Sequence, residues 1–395
     1  MTILWVSTKP PLPPTDGGRL LAHLSIQALR ARQHRVMVVA PSTEDSNRDV
    51  QKAAIADGET QLIPVKSRSH TRTLVASLMR TVPFTIARHS HDAVQRAVGR
   101  VLAAESIDVV HAEQLQAVPQ VESALANGIP VVLREQNVEA VLWDGLARAV
   151  SWSRPFASLE ARRVRAFEGR TIDALAATIA VTQEDADALR GLTRAPERIH
   201  IVPPLFPAEL PAASHALTGD PAVVVMGSQG WLPNEDGARW FVRTVWPVVA
   251  RSLSGAALHL FGLAQSGAHG PRVTWHPPPR ESADAFAPGA ILAVPQRIGS
   301  GVRMKILEAW ARGIPVVSTR PGVAGLEVHE DRNVMLADTP ETFARAFTRL
   351  HAEPDLMQTL VTGGRATLRA HHDPTMIARR LEAVYASVLA ARGGR

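Results

Sequence analysis

The chain has 395 residues, of which 46% are hydrophobic and 20% charged, and its formal net charge is +6. This length exceeds one ordinary core and predicts two domains of roughly 200 residues each. The absence of cysteine excludes disulfides and thiolate metal sites. The chain has a single tyrosine and its basic residues are scattered, which argues against nucleic-acid binding. No apolar run reaches the ~18 residues of a membrane span, and no charged leader precedes an apolar run at the start, so we expect a cytoplasmic protein.

The first half alternates short apolar runs with helical patterns. A predicted strand over residues 3–7 is followed by a proline-rich loop that ends in Asp16, Gly17 and Gly18, just before a predicted helix. The two glycines could admit a ligand to the N-terminus of this helix, or they could merely make the turn. Further strands are predicted at residues 36–40, 61–65, 107–111, 130–134 and 178–182.

This alternation predicts an α/β fold built on parallel sheets. Ligands of such sheets bind at the carboxyl ends of the strands. We therefore expect Lys9, Asp16, His111, Glu113 and residues 134–139 to line one crevice of the first half.

Basic and apolar side chains are interspersed between residues 66 and 91. Such a pattern could lie on an anionic membrane surface at the inner face of the membrane, or it could be the solvated face of a helix. The basic members are Arg68, His70, Arg72, Arg80 and Arg88, and the apolar ones are Leu74, Val75, Leu78, Met79 and Phe84.

The second half repeats the α/β pattern after a stretch with little periodicity. We predict a first domain over residues 1–205, a linker over 206–221 and a second domain over 222–374. The last helix, within residues 375–395, could cross back to the first domain. Strands of the second half are predicted at residues 222–228, 257–262, 273–276, 290–295, 315–317 and 334–336.

Residues 298–318 combine a glycine-rich loop, a helix and a strand. Gly299 and Gly301 flank Ser300 immediately before an apolar-periodic run, so backbone N–H groups could bind an anion at the helix N-terminus. Arg303 and Lys305 oppose the helix dipole in the first turn, a conflict that a bound diphosphate would remove.

Glu308 lies about 10 Å further along the same helix, from where its carboxylate could accept hydrogen bonds from ribose hydroxyls. Ion pairs among Lys305, Glu308 and Arg312 at i,i+3 and i,i+4 spacing would explain the same residues without any ligand. Spacing alone leaves both interpretations open.

The second half resembles family 4 of the nucleotide-sugar-dependent glycosyltransferases, which have the GT-B fold. The first half agrees more loosely, through residues 10–18, residues 136–139 and Trp143. The residues that carry the resemblance in the second half are Met226, Gly227, Ser228, residues 231–234, Trp246, Pro247, Pro295 and the runs 299–309, 312–319 and 322–326.

The resemblance implies two Rossmann-like domains with parallel sheets facing a central cleft. It implies transfer of a sugar from a nucleoside-diphosphate sugar to a glycan, lipid-linked or small-molecule acceptor, with retained configuration and with neither a metal nor another cofactor. In this interpretation Glu308 binds the donor ribose, Arg303 and Lys305 neutralise the diphosphate with the loop at residues 299–301, and Gly227 lies on the donor side. Asp16, Gly17 and Gly18 would form the acceptor-side loop.

Two departures from the family pattern concern catalysis. Members often carry a second glutamate where this chain has Ser300, and many carry a histidine where it has Gln136. Because glutamine cannot titrate, either the reaction relies on electrostatics and substrate-assisted proton transfer, or His111 or Glu135 substitutes. The alternative function is a nucleotide-sugar-binding protein of the same fold that has lost catalysis, and a GT-B phosphorylase or epimerase is a further one.

Overall fold

The computed structural model describes residues 1–43, 48–66, 69–149, 154–264, 270–279, 281–298 and 300–393. They divide into two compact units. The first comprises Met1–Pro14, Gly18–Pro204 and Pro374–Arg395, and the second comprises Thr15–Gly17 and Leu205–Asp373.

The first unit contains a seven-stranded sheet in the order β3-β2-β1-β4-β5-β6-β7, and every neighbouring pair is parallel. Five of its seven strands are buried along all or most of their length, as parallel sheets covered on both faces require. The strands are β1 (Thr2–Ser7), β2 (Arg35–Thr43), β3 (Thr60–Val65), β4 (Val109–Glu113), β5 (Val131–Glu135), β6 (Ala177–Ala180) and β7 (Ile199–Ile201).

Helices connect these strands and cover the sheet. In the first of them the buried residues Leu21, Ala22, Ile26 and Leu29 follow the spacing of one helical face. The helices are α1 (Gly17–Ala31), α2 (Arg48–Asp57), α3 (His70–Met79), α4 (Phe84–His89), α5 (Asp92–Ala104), α6 (Glu122–Ala126), α7 (Glu139–Ala149), α8 (Arg154–Ala174) and α9 (Gln183–Arg190).

The second unit contains a six-stranded parallel sheet in the order β10-β9-β8-β11-β12-β13. Its core is a cluster of buried apolar side chains around Trp246, Phe241, Phe343 and Phe347. The strands are β8 (Ala222–Met226), β9 (Ala257–Phe261), β10 (Val273–His276), β11 (Ile291–Val294), β12 (Val316–Ser318) and β13 (Met335–Leu336).

The helices of this unit are α10 (Leu232–Trp240), α11 (Trp246–Ser252), α12 (Met304–Arg312), α13 (Pro340–Ala352) and α14 (Pro354–His371). The final helix, α15 (Pro374–Gly393), groups with the first unit. None of the helices that the structure describes combines the length and apolar character needed to cross a membrane.

The structure confirms the expected architecture of two parallel-sheet α/β units with the GT-B fold. The sequence did not predict β7 or α2, whereas α3 and α4 lie within residues 66–91, where the solvated face of a helix was one of the two interpretations. Two helices, α7 and α8, lie between β5 and β6. Residues 206–221 carry no helix or strand.

Candidate functional site

The order of the strands locates a crevice in the second unit. From β8 the chain moves to β9 and β10 on one side and then returns to β11, β12 and β13 on the other. The gap between β8 and β11 is thus a topological switch point, where parallel α/β sheets bind ligands beyond the carboxyl ends of the strands. Helix α12 follows β11 and begins beside this point.

The loop that leads into α12 is held by its own arginine. The Arg303 guanidinium donates through Nη2 to the carbonyl oxygens of Ser300 and, at 2.7 Å, of Gly301, and its side chain is buried. Gly301 has φ +74°, a left-handed conformation that favours glycine. Gly299 lies outside the described residues. Part of the hydrogen-bonding capacity expected of Arg303 for a diphosphate is therefore used to fix the loop.

Lys305 places a buried cation at the switch point. Its Nζ donates to the Met226 carbonyl oxygen at 2.6 Å, at the end of β8, and lies 3.3 Å from Asn234 Oδ1. Burial, and then the nearby Arg303, lower the pKa of Lys305 to about 7. No carboxylate of the described residues forms an ion pair with it, and with this pKa the amine is about half protonated near pH 7.

Glu308 is buried on α12 with its two oxygens in different situations. Its Oε1 accepts from the Ser282 hydroxyl at 2.5 Å and from Arg312 Nε and Nη2 at 3.0 and 2.9 Å. Its Oε2 accepts no hydrogen bond from the residues that the structure describes. The i,i+4 pair with Arg312 that the sequence suggested is therefore present, yet it leaves one carboxylate oxygen available to a ligand.

Gly227 follows β8 in a tightly packed turn. A Cβ there would lie 2.7 Å from Leu263 Cδ2 and 3.0 Å from Asn234 Cβ, so a side chain would displace Leu263 and crowd Asn234. Its N–H donates to the Phe261 carbonyl oxygen at 3.0 Å. The packing explains the glycine without a ligand, and a donor-side role for Gly227 stays a prediction.

The first unit has its own switch point between β1 and β4, and His111 lies there. Its imidazole has no exposed surface, stacks on Trp5 with 3.7 Å between ring centroids, and lies with Nδ1 2.8 Å from the Tyr385 hydroxyl. Burial lowers the pKa of His111 to about 4, so the ring is neutral near pH 7. A fully enclosed ring can reach a substrate only through its neighbours.

Glu113 and Arg134 form a buried bidentate ion pair at the ends of β4 and β5, where the register of the two strands places them side by side. Arg134 Nε and Nη2 donate to Glu113 Oε1 and Oε2 at 3.0 and 2.6 Å, and Arg134 Nη1 donates to Ser25 Oγ at 2.8 Å. Burial opposes ionisation of Glu113, but Arg134 and His111 outweigh it and lower the pKa of the carboxyl to about 2. The carboxylate is therefore ionised throughout the neutral range.

Gln136 extends this network to the glycine loop. Its Nε2 donates to Glu113 Oε1 at 2.9 Å and to the Gly18 carbonyl oxygen at 3.2 Å, while its Oε1 accepts from Gln114 Nε2 at 3.3 Å. The side chain is half-buried. Of the three residues named as catalytic candidates, Gln136 is thus the one with partly exposed surface.

Glu135 faces the opposite side of the sheet from Arg134, because successive strand residues point to opposite faces. It is buried, and burial followed by the neighbouring Glu168 carboxylate raises the pKa of Glu135 well above its usual range. Glu168 itself accepts from the backbone N–H groups of Glu139 and Ala140 at 2.8 and 3.0 Å. The position of Glu135 favours a neutral carboxyl group enclosed in the protein.

The remaining acceptor-side residues surround the start of α1. Gly17 is the first residue of that helix, Asp16 directly precedes it, and Gly18 provides the carbonyl that Gln136 contacts. In the described part of the chain no group of three or more histidine, aspartate and glutamate side chains is arranged to hold a metal ion.

Sequence reasoning missed two contributors to these networks and named a third, Asn234, only as part of the family resemblance. Ser282 and Asn234 contact Glu308 and Lys305 from elements distant in sequence, and Tyr385 contacts His111 across 274 positions. The one available signal for Tyr385 was that it is the only tyrosine in the chain.

Family models match both halves of the chain. The model described as "Glycosyl transferases group 1" matches residues 220–353, and the one described as "Glycosyl transferase 4-like domain" matches residues 17–204. No curated protein sequence gives a significant match.

Several solved structures share the fold over nearly the whole length. A sucrose-phosphate synthase from Thermosynechococcus elongatus aligns with TM-score 0.71 at 17% identity, covering 99% of this chain and 100% of its own. HepE from Anabaena, solved in complex with UDP, aligns with TM-score 0.66 at 15% identity, covering 98% and 100%. TarM from S. aureus, in a complex that includes UDP, aligns with TM-score 0.68 at 8% identity, covering 98% and 100%. The two family models and the shared fold together show that the chain belongs to the glycosyltransferases with the GT-B fold.

Proposed function

We propose that this protein transfers a sugar from a nucleoside-diphosphate sugar to a glycan, lipid-linked or small-molecule acceptor, as a member of glycosyltransferase family 4. The observation that carries the proposal is Lys305, a buried amine at the β8/β11 switch point that no carboxylate among the described residues neutralises when it is protonated. Burying an uncompensated charge is costly, and a diphosphate is the kind of ligand that would offset that cost. HepE has been solved with UDP and with UDP-glucose, so UDP-sugars are the first donors to test.

In this proposal the donor is bound by α12 and the loop before it. The diphosphate lies at the helix N-terminus, where backbone N–H groups and the dipole favour anions, and Lys305 Nζ donates to it. The free Oε2 of Glu308 accepts from a ribose hydroxyl while Arg312 and Ser282 hold Oε1. Charge that is already in place when the leaving group departs lowers the barrier without reorganisation.

The transfer forms a bond from the acceptor oxygen to the anomeric carbon and breaks the bond from that carbon to the phosphate oxygen. Because Gln136 cannot accept the acceptor proton as a base, we propose that a phosphate oxygen of the leaving group takes it. Attack on the side of the departing phosphate would retain the anomeric configuration, and the step uses neither a metal nor another cofactor. Gln136 then hydrogen-bonds the sugar or the acceptor, beside the loop formed by Asp16, Gly17 and Gly18.

The test is a panel of UDP-, GDP- and dTDP-sugars, with binding measured by calorimetry and diphosphate release measured with candidate acceptors. We expect one nucleotide to bind, and release to require the acceptor. Lys305→Met should weaken both signals, whereas Arg251→Met, an exposed substitution on α11, serves as the matched control. Absence of binding for every nucleotide would refute the donor site.

A second function is favoured by Ser300 and Gln136, which stand where family members often carry a carboxylate and a histidine. The same fold would then bind a nucleotide sugar without transferring it. Binding by calorimetry with no diphosphate release across the whole acceptor panel, and with no hydrolysis of the donor, would establish this function instead of transfer.

We also propose that the first unit contacts an anionic membrane at the cytoplasmic face. On α3 the side chains of Leu78 and Met79 are 64% and 81% exposed, and on α8 Phe156 and Leu159 are 49% and 58% exposed. Arg163 on α8 donates a hydrogen bond to Ser77 Oγ on α3 at 3.1 Å, so the two helices are in contact.

The charge around these side chains is consistent with anionic lipid. Arg72 and Arg88 are exposed, whereas Arg80 is paired with Asp92 at 2.9 Å, and Arg68 lies outside the described residues. Exposed apolar side chains beside arginines are typical of surfaces that lie on anionic headgroups.

Co-sedimentation with phosphatidylglycerol-containing vesicles tests the membrane contact. Replacing both Leu78 and Met79 with aspartate should weaken binding about tenfold or more, since it removes two apolar anchors and adds negative charge. Ile55→Asp is the matched control because Ile55 is 80% exposed on a different helix, α2. Equal binding to neutral phosphatidylcholine vesicles, or equal loss in the control, would contradict the proposal.

A further inference from the structure

Tyr385 is the only tyrosine of the chain, and its hydroxyl has a specific partner. The ring is fully buried on α15, and its hydroxyl lies 2.8 Å from His111 Nδ1. A phenylalanine would fill nearly the same volume, so packing alone does not require the hydroxyl. Burial of a hydroxyl costs free energy that its hydrogen bond must offset, and a phenylalanine would avoid this cost. The presence of tyrosine at this position therefore suggests a role for the hydrogen bond to His111.

The direction of the hydrogen bond follows from the neighbours. Burial raises the pKa of Tyr385, so its hydroxyl keeps its proton, and His111 is neutral. His111 Nε2 lies 3.4 Å from Glu113 Oε2, an electrostatic contact without hydrogen-bond geometry, and Glu113 is ionised. A lone pair on Nε2 would be repelled by that carboxylate. The favourable arrangement therefore has Tyr385 donating to Nδ1 and the imidazole proton on Nε2, facing Glu113.

From Glu113 the contacts lead to the loop at the start of α1. Glu113 Oε1 accepts from Gln136 Nε2 at 2.9 Å, and the same amide donates to the Gly18 carbonyl oxygen at 3.2 Å. Arg134, which pairs with both oxygens of Glu113, also donates to Ser25 on α1. One chain of polar contacts thus connects the C-terminal helix to Gly18 within the first unit.

We propose that Tyr385 is a positioning residue that acts through His111 and Glu113 to orient the Gln136 amide and the Gly18 loop. The hydroxyl fixes the imidazole tautomer, and the imidazole proton then attracts Glu113 Oε2 and supports the orientation that Arg134 gives this carboxylate. Glu113 Oε1 accepts from Gln136 Nε2, which keeps the amide nitrogen of Gln136 toward Gly18. Tyr385 touches no substrate in this scheme. The catalytic consequence rests on the proposed transferase function, whereas the orientation of Gln136 does not.

Two measurements that need no turnover test the orientation directly. In ¹⁵N-histidine NMR spectra of the whole chain, the signal that disappears in His111→Asn should show a proton on Nε2 and none on Nδ1. In Tyr385→Phe the side-chain NH₂ signals of Gln136 should shift. A proton on Nδ1 in the unsubstituted protein, or unchanged Gln136 signals in Tyr385→Phe, would overturn the proposal.

Kinetics then test the consequence. Removing one hydrogen bond of ordinary strength predicts that Tyr385→Phe raises the acceptor KM or lowers kcat by about five- to tenfold, with the donor Kd unchanged. Leu381→Ala, a cavity substitution at another buried position of α15, is the control for general loosening of the helix. It should lower thermal stability more than Tyr385→Phe while leaving the Gln136 signals in place.

The outcomes separate this proposal from the transferase proposal. If the unsubstituted protein transfers no sugar, the function fails while the NMR signals still decide the positioning role. If Leu381→Ala and Tyr385→Phe change the Gln136 signals and the acceptor KM alike, Tyr385 has only a packing role and the positioning proposal fails.

Discussion

The Lys305 ammonium lies 2.6 Å from the Met226 carbonyl oxygen, and within the described part of the chain no carboxylate pairs with it. A carbonyl dipole at the end of β8 therefore holds a cation whose counter-charge is not supplied by the neighbouring protein. This arrangement is expected where the counter-charge arrives with a ligand. The same buried charge therefore lowers the stability of the free protein and raises its affinity for a diphosphate.

Lys305→Met should therefore have opposite effects on the two properties. We expect the free energy of unfolding to stay unchanged or to rise, because a buried charge is removed. The affinity for the nucleoside diphosphate should fall by about 10- to 100-fold, the loss typical of a charged hydrogen bond. Urea denaturation and calorimetry measure the two effects, and a substantial loss of stability with unchanged affinity would contradict this assignment.

Binding should also depend on pH through Lys305. The pKa of its ammonium is about 7 in the free protein, and a bound anion raises that pKa because an opposite charge favours the charged form. Affinity should therefore be highest below pH 7 and fall as the pH rises from 7 to 9, a range in which the terminal phosphate is already ionised. Calorimetry over this range should show the fall in the unsubstituted protein and a flat profile in Lys305→Met.

Glu308→Gln should weaken nucleotide binding by about tenfold or more, because an amide that keeps Oε1 toward Arg312 turns its NH₂ toward the ribose and removes the acceptor. The contrasting variant is Arg312→Gln, which removes the ion pair at 2.9 Å but leaves the carboxylate. That variant should lower stability with a smaller effect on affinity. Should both variants weaken binding equally, Glu308 would act through α12 packing instead of through the ribose.

The sequence was sufficient for the fold and for the local chemistry of α12, because strand and helix periodicity, the glycine loop and the cations all lie within short segments. It could not disclose that Arg303 holds its own loop, since that depends on the conformation of Ser300 and Gly301. Nor could it pair Glu113 with Arg134, which requires the register between β4 and β5. Contacts across hundreds of positions, such as Tyr385 with His111, leave no periodic signal at all.

The Glu113–Arg134 pair should behave as a buried ion pair. Removing one partner leaves an uncompensated charge, so Glu113→Gln should cost about 3–5 kcal/mol of unfolding free energy, whereas replacing both partners by apolar residues should cost less. Arg190→Met, which breaks the exposed pair with Asp187, is the control and should cost no more than about 1 kcal/mol. Urea unfolding of the single and double variants measures the difference.

Acid should remove the contribution of the same pair. The pKa of Glu113 is about 2 in the folded protein, below the value of about 4.3 of a free glutamate. A depressed carboxyl pKa gives stability that is fully present above the unfolded value and is lost as the pH falls through the folded one. The stability advantage over Glu113→Gln should therefore shrink between about pH 4.3 and 2, and a constant advantage would contradict the pKa shift.

Glu135 should show the opposite dependence on pH. Burial and the neighbouring Glu168 raise the pKa of Glu135, so the folded state holds its proton more tightly than the unfolded chain does. Stability from a raised pKa is present below the unfolded value and is lost as the pH rises through the folded one. Glutamine mimics the neutral, protonated form of Glu135. The unfolding free energy of Glu135→Gln, relative to that of the unsubstituted protein, should therefore rise with pH above about 4.3, by at most about 1.4 kcal/mol per pH unit. Glu184→Gln, at an exposed position of α9, is the matched control, and equal pH profiles for the two variants would show that the Glu135 carboxyl is ionised in the folded protein.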